Sequence, residues 1–145
     1  MPQYEFRVSL KIVHPTLQAS AISEKLSVDP EIYSNVGTDR VSPTGTLLGG
    51  VYDHTIWSRS LTADKIDAED MLFEEFIEMQ NSKLSAHRNF FNEVRKVGGS
   101  VEYFVGWFSS GSINMNIALS SELMKSTSEL SVAIVFCAYP DSDDA

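Results

Sequence analysis

The chain has a single cysteine, Cys137, among its 145 residues. One thiol excludes an internal disulfide framework and any zinc site built on cysteines. Within the apolar run SVAIVFCAY it reads as a buried, inert thiol. Positive charge is also scarce: 11 Lys and Arg stand against 20 Asp and Glu, a net charge of −9. A phosphate backbone is gripped by clustered Lys and Arg, so no nucleic acid partner is expected. Nor is there an apolar run of about 18 residues to span a membrane. The opening MPQYEFRVSL lacks the basic and apolar regions of a signal peptide. A soluble cytoplasmic protein is the expectation.

Catalytic patterns are missing as well. Gly49-Gly50 is followed by Val51-Tyr52, where a phosphate-binding loop needs Lys and Ser or Thr, and the dinucleotide fingerprint is absent. The three histidines, His14, His54 and His87, form no i, i+4 pair and have no cysteine partners. No metal and no cofactor is therefore expected. His54 follows Asp53, but neighbours on a strand point to opposite faces and cannot form an acid–base pair. The segment GWFSSG around Ser109 lacks the spacing of a nucleophile elbow. No catalytic residue is assigned, and a non-enzymatic role is expected.

What is present is clear hydrophobic periodicity. Tyr4, Phe6, Val8, Leu10 and Ile12 alternate with Glu5, Arg7, Ser9 and Lys11, which predicts a strand over 4–12 ended by His14-Pro15. A short helix over 18–26 follows, then a turn-rich loop over 31–50 and a strand over 51–61. Leu72, Phe73, Phe76 and Ile77 fall opposite Asp67, Asp70, Glu74 and Glu78, predicting an amphipathic helix over 67–80 with Asp67 as its N-cap. A second helix over 84–97 would bury His87 with Leu84, Phe91 and Val94, and Gly98-Gly99 stops it. Segments 101–108 and 130–139 are apolar on both faces and predict two central strands. Between them come a half-buried strand over 113–119 and a short helix capped by Ser120 or Ser121. The expected architecture is an α+β fold: one domain over 1–140 with an acidic tail at 141–145, a mixed sheet with helices mainly on one face, a ferredoxin-like relative whose strand order the sequence leaves open.

Three segments, YEFRVSLKIVHPTL, PTGTLLGGVYDHTIWS and VEYFVGWFSSG with the strand ending at Tyr139, carry a resemblance over roughly 4–139. In their order and spacing the chain resembles the uncharacterised bacterial family named domain of unknown function 4279. That resemblance implies a stand-alone bacterial or phage-borne soluble domain and brings no activity or catalytic role.

Two functional expectations remain. The first is an interaction domain, an immunity or inhibitor protein for a basic protein partner. Its motive is the −9 charge and the acidic face Asp67, Asp70, Glu74 and Glu78. The alternative is a small-ligand-binding domain or enzyme using the loop 37–59 and the end of strand 101–108. There Arg40, Tyr52, Trp57, Arg59 and Trp107 supply the residue types that dominate recognition surfaces. Oligomeric state has no sequence signal.

Overall fold

The computed structural model describes residues 4–109 and 116–139. In chain order its first elements are β1 (Tyr4–His14), α1 (Ala19–Leu26), β2 (Ile32–Ser34), β3 (Asp39–Val41), β4 (Leu47–Val51) and β5 (Thr55–Ser60). Then come β6 (Ile66–Asp67), α2 (Phe73–Leu84), a 3₁₀ turn over Ser85–His87, α3 (Arg88–Lys96), β7 (Ser100–Ser109), α4 (Ser121–Glu129) and β8 (Val132–Tyr139).

The alternation in β1 decides the layering. Tyr4, Phe6, Val8, Leu10, Ile12 and His14 are all buried, while the intervening residues face the other way. β1 lies mid-sheet, antiparallel to β5 on one side and β7 on the other. The sheet order is β2-β5-β1-β7-β8, with β6 pairing the start of β1 and β3–β4 forming a separate hairpin. Val101, Tyr103, Val105 and Trp107 of β7 join the buried face and pack with Ile22, Phe73, Phe76, Ile77, Phe91 and Val94 from the helices. Phe6 meets Phe73 edge-on at 5.5 Å, and Tyr4 stacks on Trp107 at 4.0 Å. Each such ring pair contributes about 0.5–1.5 kcal/mol beyond its buried area.

The protein is thus α+β, a mixed sheet with its helices packed against one face. The strand order is its own. In a ferredoxin-like split βαβ pattern a third strand separates the two that a helix joins. Here β8 lies beside β7 and parallel to it, and β5 returns antiparallel beside β1.

Four local expectations change. Helix α2 starts at Phe73 instead of 67, because Ile66 and Asp67 are held extended by pairing with Phe6 and Glu5. Asp67 caps a turn instead, its Oδ1 accepting the Glu69 N–H at 2.9 Å. The first free N–H of the helix, at Phe73, is taken by the Tyr4 hydroxyl at 3.1 Å. The second predicted helix is interrupted where the Ser85 hydroxyl donates to the Ser82 carbonyl, leaving His87 half-buried in the 3₁₀ turn rather than in the core. β8 is an edge strand among the described residues, not a central one, and Phe136 is 42% exposed. Asn116–Ser120 adopt neither helix nor strand, and the rest of the expected 113–119 strand, like the 141–145 tail, lies outside the described residues.

Among the described residues no helix covers the second face of the sheet. Phe104 and Phe108 point there, half-buried, roofed by cationic side chains. Lys65 Nζ stands 3.9 Å from the Phe108 centroid and Lys11 Nζ 5.7 Å from that of Phe104. Long basic side chains cover apolar surface with their stems and meet the ring faces with their charge. Two-sided apolarity in β7 therefore reflects a helix layer on one side and a cationic roof on the other. Cys137 shares this second face and is half-buried.

Candidate interaction surface

Residues 31–54 form an arm at the β2 edge of the sheet, and its base is tied down. The Glu31 N–H donates to the Ser58 carbonyl at 2.8 Å, and β2 pairs with β5 from Ile32↔Ser58 to Ser34↔Ile56. Asn35 Oδ1 accepts the Ala19 N–H at 2.7 Å, filling a vacancy at the start of α1, and the Val36 N–H reaches the buried Thr55 hydroxyl at 2.9 Å. Gly37 and Thr38 exchange backbone bonds with Tyr52 at 2.9 and 3.0 Å.

Beyond that base the β3–β4 hairpin projects. The Tyr52 hydroxyl clasps both backbone groups of Val41, at 3.3 and 3.4 Å. The tip is closed by Ser42, which exchanges bonds with Thr46 through its backbone N–H and its hydroxyl. Gly45 takes a φ of +88° in that turn, which other residues rarely adopt.

An arm held this way exposes a fixed apolar surface. Ile32 and Leu47 are each 70% exposed, and Tyr33, Val41, Leu48 and Val51 are exposed as well. Glu31, Asp39 and Asp53 flank them in solvent, with Arg40 as the one cation of the stretch. Ile32 and Tyr33, like Leu47 and Leu48, are strand neighbours and face opposite ways, so apolar side chains stand in solvent on both sides of the arm; isolated exposed hydrophobics are ordinary, and a group of six on one short arm is not. Sequence analysis found Arg40 and Tyr52 here but missed the aliphatics. Their signal was Leu47-Leu48 and Val51 placed among glycines with no strand alternation to take them inward.

The other candidates separate. Trp57 is fully buried, its Nε1–H donating to the Ser23 hydroxyl at 3.0 Å. Trp107 is 6% exposed among Tyr4, Phe73 and Phe136. On β1 they stand opposite Ile12 and Phe6, six residues apart, which is about 20 Å along a strand. They serve the core and line no common pocket. Arg59 is spent on the Asp29 carbonyl at 2.7 Å, holding the segment after α1. Trp57 and Trp107 are therefore not brought together in one site.

The acidic stretch is redistributed too. Of the four residues expected on one helix face, Asp67 lies in β6 and Asp70 in the following turn, and only Glu74 and Glu78 are on α2. Asp67, Asp70 and Glu78 remain exposed, as do Glu69 and Glu75, while Glu74 is half-buried. The one ion pair among the described residues joins Lys11 and Glu102 at 3.8 Å, so this stretch keeps its charge unneutralised.

A cleft of about 580 Å³ lies between α2 and α4, lined by Glu78, Asn81, Ser82, Arg88, Ser126 and Glu129 among others. Its buried floor is a closed hydrogen-bond chain. The Tyr103 hydroxyl donates to Asn81 Oδ1 at 2.8 Å, and Asn81 Nδ2 donates to Ser126 and Thr127, both at 2.9 Å. Burial pushes the Tyr103 phenol far above the ordinary tyrosine range, so it stays protonated as a donor. The chain ties β7, α2 and α4 together. Among the described residues no group of three or more His, Cys, Asp or Glu is placed to hold a metal ion, and no helix is long and apolar enough to cross a membrane.

No family model, no curated protein and no solved structure matches the chain.

Proposed function

We propose that this chain is a non-enzymatic interaction domain, an immunity or inhibitor protein, whose hairpin arm docks on a basic protein partner. The observation that carries this reading is the arm itself: Ile32, Tyr33, Leu47 and Leu48 held out in water on a base tied to the body by the β2–β5 pairing and by hydrogen bonds at Glu31, Asn35 and Val36. A preorganised surface loses little freedom on binding, so its apolar area converts efficiently into affinity. The sign of the partner follows from charge. A net −9, with Asp67, Glu69, Asp70, Glu75 and Glu78 exposed and unneutralised, accelerates encounter with a basic surface and repels an acidic one. Residence in the bacterial cytoplasm and kinship with domain of unknown function 4279 belong to the same proposal.

The test is affinity capture at low salt from the native host, with wild type and Leu47→Asp as parallel baits. The expected result is a basic protein retained by the wild type alone. Its association rate, measured with purified components, should fall steeply with ionic strength. Identical capture by both baits, or rates indifferent to salt, would overturn the reading.

A further inference from the structure

We infer that the recess between α1 and β2 is a socket for one arginine side chain, carried by the basic protein on which the arm docks. The chain doubles back here: α1 runs out to Leu26, the segment 27–30 turns, and β2 returns over Ile32–Ser34. A recess of about 720 Å³ is left, lined from α1 by Ser20, Ser23 and Glu24, from the turn by Asp29, and from β2 by Tyr33, among others. Ligand sites span roughly 300–1,000 Å³.

The walls of the recess are fixed. At one end Asn35 Oδ1 accepts the Ala19 N–H at 2.7 Å. At the other the Arg59 guanidinium donates to the Asp29 carbonyl at 2.7 Å. Between them the Trp57 indole N–H donates to the Ser23 hydroxyl at 3.0 Å, which ties the helix wall to the core. Tyr33 stands opposite Trp57 in the β2–β5 register, so its side chain lies on the helix side of the sheet.

Three observations select the occupant. First, no Lys, Arg or His lines the recess. Lys25 lies about 100° beyond Glu24 around α1 and farther still from Ser20 and Ser23. Second, the carboxylates of Glu24 and Asp29 have no hydrogen bond or ion pair among the described residues. An anion is repelled there, and an uncharged ligand leaves both charges without a counterpart. Third, the Tyr33 ring is 61% exposed and meets no other ring and no cation among the described residues. A guanidinium is planar and weakly hydrated, so it stacks on such a ring while its N–H groups reach carboxylate and hydroxyl oxygens. An ammonium is compact and strongly hydrated, and gains less from a flat ring. That the arginine comes from the partner of the arm rests on the docking role proposed above; that the recess accepts arginine does not.

The test titrates the isotope-labelled full chain, with no partner present, against acetyl-arginine methylamide and its uncharged citrulline analogue, followed by two-dimensional NMR. The expected result is saturable shifts at the Ser23, Ser27 and Tyr33 amides from the arginine probe, with citrulline at least fivefold weaker. Tyr33→Leu, and separately Glu24→Gln with Asp29→Asn, should each weaken the arginine probe at least threefold while the rest of the spectrum is unchanged. Glu129→Gln, an exposed carboxylate on α4, should bind it like the wild type. So should Leu47→Asp, which is expected to lose the partner, and the two readings therefore fail separately. No saturable shift at these amides, a citrulline or lysine analogue that binds as tightly as arginine, or an equal loss in Glu129→Gln would overturn the inference.

Discussion

His14 shows how one polar residue is fitted into this core. It is 5% exposed, and its Nδ1 accepts the N–H groups of Thr16 and Leu17 at 3.0 and 2.9 Å, closing the turn at Pro15. Only a ring without a proton on Nδ1 accepts these bonds, and burial lowers the His14 pKa below the ordinary 6.5. In the unfolded chain His14 takes up its proton near 6.5, before the folded chain does. Its stabilising contribution is therefore full above 6.5 and declines as the pH falls through the lowered folded value. Urea titrations at a series of pH values should show that decline in the wild type and a flatter profile in His14→Asn. The aromatic side chains sort by layer in the same way. Phe73 is fully buried, and Phe73→Ala should cost about 3–5 kcal/mol of unfolding free energy. Phe104 lies on the face without helices, and Phe104→Ala should cost about 1–2 kcal/mol in the same titration, since less apolar surface is lost.

Among elements, the boundaries were legible where local chemistry sets them and hidden where distant pairing does. Ser120 was readable as a cap, and its hydroxyl does accept the Leu123 N–H at 3.1 Å. Ser120→Ala should lower stability by about 1 kcal/mol in thermal or urea unfolding. The alternation of β1 and the helix over 18–26 were equally plain. The start of α2 was not, because pairing of Ile66 and Asp67 with β1 lies some sixty positions away in the chain and overrides a good helical pattern. The edge position of β8 was hidden for a related reason: its apolar outer row looks the same in sequence as the row of a buried strand. Gly98-Gly99 was read as a helix stop, and Gly99 carries a second constraint. A Cβ there would collide with the Val13 carbonyl and come within 2.8 Å of Val94 Cγ1. Backbone cannot move aside as a flexible side chain can. Gly99→Ala should therefore destabilise by about 1–3 kcal/mol, seen as a lower urea midpoint with an unchanged m-value.

For the molecule as a whole, fold class and charge were legible while the site was only half so. Composition set the class and the −9 balance, and periodicity set the one-faced helix layer. Arg40 and Tyr52 do lie in the arm, but Trp57 and Trp107 were drawn to the same region by residue type alone. Large aromatics serve cores and contact surfaces equally, and only the register along β1 separates them. The account rests on the arm as the docking surface. Its most direct test is amide hydrogen exchange of this chain, free and bound to the basic protein captured at low salt. Exchange should slow at Tyr33, Val41, Leu47 and Leu48 on binding, with the α2–α4 cleft around Ser82 and Ser126 unchanged. Protection confined to that cleft, with the arm exchanging as fast as in the free protein, would contradict it.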